Sequence, residues 1–273
     1  MLPFIVIFGK EINTYGICAA VGLFVALLVG YLLVRKKGVC YEDLIVTAVY
    51  VVIGILIGSH VLFGVTNLPA IIELFQNASN YSFVDFMIIL FGSYLGGMVF
   101  YGGLLGGLAA LYWTYKHSKF GHNIEIFDMC AVIIPLFHAF GRVGCFLGGC
   151  CYGMESKFGF TVHGNTINPS VNDVNRFPVQ LVESACNLLL FFFLLILYKK
   201  EKFVNRMLIV YCLTYPVIRF TLEFFRGDTY RGFLFGLSTS QLVSIGLFVF
   251  AIVFILIDRS RKTGKPKEAA AQS

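Results

Sequence analysis

Residues 137–153 read FHAFGRVGCFLGGCCYG, and residues 211–228 read YCLTYPVIRFTLEFFRGD. Each places an arginine, Arg142 and Arg219, inside a stretch that is otherwise too apolar for water. A charge at the centre of a membrane helix costs about 2.5–3.5 kcal/mol on insertion scales. Two arginines held at that cost need a partner, and an anionic group such as a lipid phosphate is the leading candidate.

The rest of the chain sets these stretches in a membrane. Of 273 residues, 58% are hydrophobic and 13% charged, and the mean hydropathy is +0.81. Soluble domains carry about 25% charged residues. The apolar runs are long and continuous, without alternation of period two, so the expected class is an all-α, polytopic integral membrane protein and not a barrel. The net charge of +6 does not point to nucleic acid, because the basic residues sit mostly in short loops between apolar runs, where they set topology. No cleavable signal peptide is evident, and the first apolar run is long enough to span.

About seven spans are expected, over residues 15–34, 44–65, a stretch ending at 115, 127–147, 179–198, 207–225 and 239–257. The stretch 83–115 exceeds the ~20 residues one span needs and is rich in glycine, so a re-entrant or broken element is expected at 85–97, ahead of its span. Fourteen of the 21 basic residues (Arg35, Lys36, Lys37, Lys116, Lys119, Lys199, Lys200, Lys202, Arg206, Arg259, Arg261, Lys262, Lys265 and Lys267) fall on one side of a seven-span arrangement. That side is expected to be cytoplasmic, with the N-terminus outside and the C-terminus cytoplasmic. Residues 1–257 are expected to form a single transmembrane helical domain with a short external segment at 154–178. Residues 258–273 are expected to form a disordered cytoplasmic tail.

Helical spacing groups the polar residues. His138, Arg142 and Cys145 share a face at i, i+4 and i+7, as do Arg219, Glu223 and Arg226, and Gln180, Glu183 and Asn187 form a third stripe at i, i+3 and i+7. Lipid cannot solvate such stripes, so they must face one another or a shared cavity. One reading is an internal salt-bridge network, Arg142 with Glu183 and Arg219 with Glu223. The other counts three cations against two carboxylates and assigns the surplus to an anionic headgroup, which Arg grips with paired N–H donors.

Other features are less specific. Gly102, Gly103, Gly106 and Gly107 serve either close helix packing or a slot for acyl chains or a headgroup, with Tyr101 at its polar end. Cys145, Cys150 and Cys151 are the one cysteine cluster among eight cysteines. Their spacing is poor for zinc, no His-x-x-x-His partner follows, and His163 is the nearest downstream candidate ligand. A disulfide on an oxidising face and inert packing in a tight turn are the other readings, with inert packing preferred. His138 reads as a hydrogen-bond partner behind Arg142, and His60 as a hydrogen-bonding group between helices.

In order along the chain come Tyr15-Gly16, FYGGLLG at 100–106, GRVGCFLGG at 141–149, RFPVQLVE at 176–183, RFTLEFFR at 219–226, and Gln241. Over residues 14–257 this ordered set resembles the bacterial prolipoprotein diacylglyceryl transferases. The resemblance implies a seven-helix enzyme of the cytoplasmic (inner) membrane, with its active site toward the outer leaflet. Such an enzyme moves an sn-1,2-diacylglyceryl group from phosphatidylglycerol to the lipobox cysteine thiol of a prelipoprotein, releases glycerol phosphate, and needs no metal or soluble cofactor. Its partners are phosphatidylglycerol, prelipoprotein signal peptides and membrane lipids. Arg142 and Arg219 would hold the phosphate. Glu223 would orient Arg219 or hydrogen-bond the glycerol, and Glu183 and Gln180 would support the headgroup pocket. Tyr101 takes the place of a His that is a usual candidate for thiol activation. Arg226, Gly102, Gly103, Cys145, His138 and Gln241 complete the expected site. The chain departs from the family at Cys145, where an Asn is common, at Cys150, where an acid is common, and at Ser59 or His60, where an Arg is expected. Its outer segment is also short. A lipid-binding paralogue without turnover and a lipid transporter or scramblase are the alternative functions; for the latter, no inverted repeat is found.

Overall fold

Long apolar runs must satisfy their backbone hydrogen bonds internally, and here they do so as helices. The computed structural model describes residues 2–35, 37–38, 41–97, 99–117, 124–165, 169–228, 233–234 and 236–263. A hairpin of β1 (Phe4–Ile7) and β2 (Lys10–Asn13) leads into α1 (Thr14–Arg35), α2 (Tyr41–Thr66) and α3 (Leu68–Gln76). Then come α4 (Phe83–Ile88), which continues as a π-helical segment Ile89–Tyr94, α5 (Phe100–His117) and α6 (Ile124–Gly148). Strands β3 (Glu155–Thr161) and β4 (Asn175–Arg176) pair antiparallel, ahead of α7 (Val179–Lys199) and α8 (Met207–Glu223). The ribbon β5 (Phe233–Leu234) and β6 (Leu237–Ser238) precedes α9 (Thr239–Thr263).

The molecule is therefore mostly helical, and its strands are short two-stranded ribbons in the connections. Five of the described helices are long and apolar enough to cross a membrane: Thr14–Arg35, Glu42–Thr66, Glu125–Gly148, Val179–Lys199 and Thr239–Ser260. Their outward side chains are apolar, including Phe24, Ile57, Leu189 and Leu256. The tail expected to be disordered from Asp258 begins as helix, because α9 runs on to Thr263. Residues 264–273 lie outside the described set.

Two compact units divide the chain, Met1–Leu33 with Phe127–Ser273, and Val34–Ile126. In the second, α2 and α5 touch backbone to backbone. A Cβ added at Gly106 would stand 2.0 Å from the Gly54 carbonyl oxygen, and one at Gly102 would stand 2.2 Å from that of Gly58. Only glycine permits that approach. Gly106→Val is expected to prevent the docking, so that folded, monodisperse protein in detergent falls below detection; wild-type yield and melting would contradict this. The expected broken element is α4 with its π-helical continuation, separated from α5 by residues 95–99. His60 Nδ1 lies 2.9 Å from the Leu95 carbonyl oxygen, so His60 does join two elements.

The first unit packs α6, α7 and α8 around Val132, Leu136, Leu190, Leu194 and Met207. Buried Asp128 on α6 accepts from the Asn205 and Met207 backbone N–H groups, which ties down the start of α8. Gly22 of α1 lies against Phe140, where a Cβ would meet the Phe140 Cβ at 2.6 Å. These contacts bring the polar stripes of α6, α7 and α8 together.

Candidate functional site: an arginine–carboxylate cluster beside three thiols

Register between α6 and α7 is set by Ser184, whose Oγ donates to the Ala139 carbonyl at 2.9 Å. That bond places Glu183, 1% exposed, opposite Arg142. The Arg142 Nη2 to Glu183 Oε1 distance is 2.9 Å. On α8, Arg219 Nη1 donates to Glu183 Oε2 at 3.3 Å, and Arg219 Nη2 lies 2.7 Å from Glu223 Oε2. One carboxylate thus sits between two buried guanidiniums from different helices. Behind it, the Asn187 side chain donates to the Glu183 carbonyl at 2.8 Å. His138 Nε2 stands 3.9 Å from Glu183 Oε1, with its ring near Tyr215.

The pairs expected from helical spacing, Arg142 with Glu183 and Arg219 with Glu223, are both present. The expected surplus cation is not. Arg226 Nε donates to Asp228 Oδ1 at 3.0 Å, and its Nη2 lies 2.5 Å from Oδ2. Among the described residues the cluster balances three arginines with three carboxylates. The stripe rule missed Asp228 because α8 ends at Glu223, and the chain folds back so that Arg226 bridges Gly153. Burial opposes the Arg226 charge, but its hydrogen bond to Asp228 and the nearby negative charges outweigh that and raise its pKa.

Charge balance does not saturate the donors. Arg142 is 9% exposed, and among the described residues its buried Nε–H has no hydrogen-bond partner. Its close contact with Glu183 Oε1 is likewise a charge contact without hydrogen-bond alignment. A buried donor left unmade costs about 1–3 kcal/mol, which an incoming anion oxygen would recover.

Several neighbours hold this arrangement. Ser240 accepts from Arg219 Nη2 at 3.0 Å, a contact across α8 and α9 without any local sequence signal. Gln241 caps α9: its Oε1 accepts from the Ser238 N–H, and its own N–H donates to Ser238 Oγ, a reciprocal capping box. Gln180 Nε2 donates to the Cys150 carbonyl at 2.9 Å and pins the turn after α6. Gly102 and Gly103 belong to the second unit, where Gly102 meets the α2 backbone and a Cβ on Gly103 would stand 3.2 Å from Ile55. The side chain of Tyr101 lies outside the described set.

The turn after α6 gathers Cys145, Cys150 and Cys151. Hydrogen bonds with the Cys145 and Cys150 thiols, followed by the Arg226 and Arg142 charges, hold the Cys151 thiol below the usual cysteine range. Hydrogen bonds with the Cys145 and Cys151 thiols, followed by burial, push the Cys150 thiol above it. His163 is not part of the group; its Nδ1 lies 2.6 Å from Asp173 Oδ1 in the exposed segment.

The comparisons with known proteins cover the same span. The family model for prolipoprotein diacylglyceryl transferase matches residues 3–257. The phosphatidylglycerol–prolipoprotein diacylglyceryl transferase of Clostridium tetani (strain Massachusetts / E88) is 30% identical over 259 residues, 94% of this chain and 97% of its own. A protein of Clostridium perfringens (strain 13 / Type A) named phosphatidylglycerol–prolipoprotein diacylglyceryl transferase 2 is 29% identical over 255 residues, 93% of each chain. The phosphatidylglycerol–prolipoprotein diacylglyceryl transferase of Campylobacter curvus (strain 525.92) is 30% identical over 261 residues, 90% of each chain.

Proposed function

The chain belongs to the prolipoprotein diacylglyceryl transferase family, and from that premise we propose that it transfers an sn-1,2-diacylglyceryl group from phosphatidylglycerol to the lipobox cysteine thiol of prelipoproteins. The structural observation that carries the reading is the buried Arg142, with an uncommitted Nε–H beside a carboxylate it shares with Arg219. Attack by the thiolate on the terminal glycerol carbon breaks that carbon's bond to oxygen. The phosphate leaves as an anion. Guanidiniums already fixed in a dry site stabilise the developing charge without reorganising. Glu183 keeps both arginines in place, Glu223 orients Arg219, and Arg226 closes the far end of the cluster. Gln180, Cys145 and His138 line the headgroup side, and Gln241 supports it by capping α9.

The setting follows from the same premise. α5 and α8 complete seven spans with the five longer helices. At 17 residues α8 is about 26 Å long, close to the ~30 Å hydrocarbon core. The N-terminus and the segment 154–178 lie outside, the C-terminus is cytoplasmic, and the arginine cluster faces the outer leaflet of the bacterial inner membrane. Residues 1–257 act as one transmembrane domain, and 258–273 as its cytoplasmic tail.

Tyr101 enters from the family resemblance, together with Gly102 and Gly103. Its phenol O–H is a hydrogen-bond donor, and Tyr101 acts through it on the lipid. Tyr101→Phe is expected to lower transfer about 10- to 100-fold, the loss of one hydrogen bond to a charged group worth about 1.5–3 kcal/mol. Transfer falling to background would make the phenol the base instead. The function itself is tested by incubating the purified protein with labelled phosphatidylglycerol and a lipobox peptide. Thioether-linked lipid on the cysteine peptide, and none on its serine analogue, is the expected result. A well-folded protein that transfers nothing would contradict it.

A further inference from the structure

α6 ends on two hydrogen bonds that bring a pair of cysteines together. The Cys150 N–H donates to the Cys145 carbonyl at 3.1 Å, and the Gly149 N–H donates to the Phe146 carbonyl at 3.3 Å. Gly149 supplies the left-handed residue between them, at φ +76°. This is the Schellman helix ending, which sets the side chain of its outermost residue against the one five positions earlier. That contact is usually between apolar groups; here both side chains are thiols. The Cys150 thiol reaches back to the Cys145 carbonyl at 3.7 Å, and the Sγ atoms of Cys145, Cys150 and Cys151 all lie within 4.8 Å of one another. Cys145 is buried and Cys150 exposed, so a reagent from outside meets Cys150 first. Cys145 and Cys150 are also the two positions in this turn where the chain departs from the family pattern.

Of the three bonds these sulfurs could make, one fits the backbone best. A disulfide needs Cα atoms about 4.4–6.8 Å apart. Neighbours in sequence stand about 3.8 Å apart, so Cys150 and Cys151 make a poor pair. Cys151, at φ +56°, lies past the helix ending, where the chain has turned again. Its thiol is held by hydrogen bonds with the other two and by the Arg226 and Arg142 charges, which suits it to accept a proton. Cys145 and Cys150 are the pair already tied through the backbone. Arg142 lies one helical turn before Cys145 on α6, on the same face. Gln180 of α7 clamps the turn through the Cys150 carbonyl at 2.9 Å. A bond between Cys145 and Cys150 would therefore fasten the helical turn that carries Arg142 to the segment that α7 holds.

We propose that Cys145 and Cys150 form a reversible disulfide, made by exchange with an external disulfide, that braces the end of α6 beside the arginine cluster. The supply of oxidant from outside and the benefit to transfer rest on the transferase reading; the pairing of the two sulfurs does not. Cys150 gives its proton to the Cys151 thiolate, and its Sγ attacks one sulfur of the external disulfide. A mixed disulfide forms, and the other external sulfur leaves as a thiolate. Cys145 then sheds its proton, and its Sγ attacks Cys150 Sγ. The internal bond forms, and the second external sulfur leaves with the electron pair of the broken bond. The two external thiolates take up the two protons, the one from Cys145 and the one that Cys151 gives back. Two electrons have passed from Cys145 and Cys150 to the external disulfide, which ends as two thiols. Such bonds form and persist on the oxidising side of a bacterial cytoplasmic membrane.

The test uses full-length wild-type protein in detergent, reduced with dithiothreitol or treated with glutathione disulfide, then quenched in acid and alkylated. Trypsin releases residues 143–157, which carry all three cysteines. Mass spectrometry is expected to find three alkyl groups on this peptide from reduced protein. Oxidised protein should give one, on Cys151, and the three should return on re-reduction. Three alkyl groups after glutathione disulfide, or a single one on Cys145 or Cys150, would overturn the pairing. The oxidised protein is expected to melt about 5 °C above the reduced form, as for a bond that closes a short loop. Cys145→Ala should lose that shift and keep both remaining thiols alkylated. Equal melting of the two wild-type forms would overturn the brace. Cys151→Ser should form the same bond more slowly, and oxidation at the wild-type rate would overturn its part as proton acceptor. Transfer is measured on the same samples. Reduction is expected to slow it about 10-fold, within the ~100-fold that a 1 Å misplacement near a reacting group can cost. Equal transfer by both forms would overturn the benefit to the arginine cluster and leave the transferase reading standing. A bonded, stabilised protein that transfers nothing in either state would support the disulfide and contradict that reading.

Discussion

Arg142→Ala is expected to lower diacylglyceryl transfer about 100- to 1,000-fold, the range seen when one preorganised donor to a developing oxyanion is removed. The protein should still fold, because Glu183 keeps its second partner, Arg219, whose Nη1 lies 3.3 Å from Oε2. The cluster then loses one cation and retains a buried, paired carboxylate. Arg142→Lys should recover only part of the loss, since an ammonium supplies charge without the planar fork that matches two phosphate oxygens. Transfer rates and melting temperatures measured on the same preparations separate the two effects. A loss of rate that tracks a loss of folded protein would assign Arg142 to architecture instead.

Glu183→Ala is expected to act on the fold first. Glu183 is 1% exposed and is the carboxylate shared by Arg142 and Arg219. Among the described residues, its removal strands Arg142 without a carboxylate and leaves Arg219 with Glu223 and Ser240. Breaking a buried pair by removing one partner costs about 3–5 kcal/mol, a large fraction of the 5–15 kcal/mol that holds a typical protein together. Thermal melting in detergent should therefore show a sharply lowered transition or none. Glu183→Gln keeps the volume and should fall between the variant and the wild type. Combining Glu183→Gln with Arg142→Met should recover stability, because the stranded charge goes with its partner. A wild-type melt for Glu183→Ala would mean that water or lipid solvates the two arginines, and the dry cluster would be refuted.

The parts of this structure that could be read from the sequence are those governed by local periodicity. Long apolar runs announced α1, α2, α6, α7 and α9, and stripes at i, i+3, i+4 and i+7 put Arg142, Glu183, Arg219 and Glu223 in contact. What escaped depends on backbone reversals and contacts between helices. Asp228 pairs with Arg226 only because α8 stops at Glu223 and the chain turns back toward Gly153. Helical spacing therefore counted one cation too many. Ser240 reaches Arg219 across two helices, and nothing near it in sequence marks that. Gln241 is a cap, and Ser238 three residues earlier was the available signal. The close approach of Cys145, Cys150 and Cys151 depends on the left-handed backbone of Cys151, which is not foreseen for a residue with a side chain. The π-helical continuation of α4, where the Leu95 N–H bonds to the Leu90 carbonyl, likewise has no periodic signature.

The central claim is that Arg142 and Arg219 together hold the phosphate that leaves as the acceptor sulfur takes the diacylglyceryl group. Phosphorus NMR of phosphatidylglycerol turned over with a lipobox peptide tests it most directly, because it follows the lipid phosphate and the released glycerol phosphate together. Wild-type protein is predicted to release glycerol phosphate in step with lipidated peptide, and Arg142→Ala and Arg219→Ala, folded to the same extent, to release almost none. Release at the wild-type rate in both variants would contradict the account.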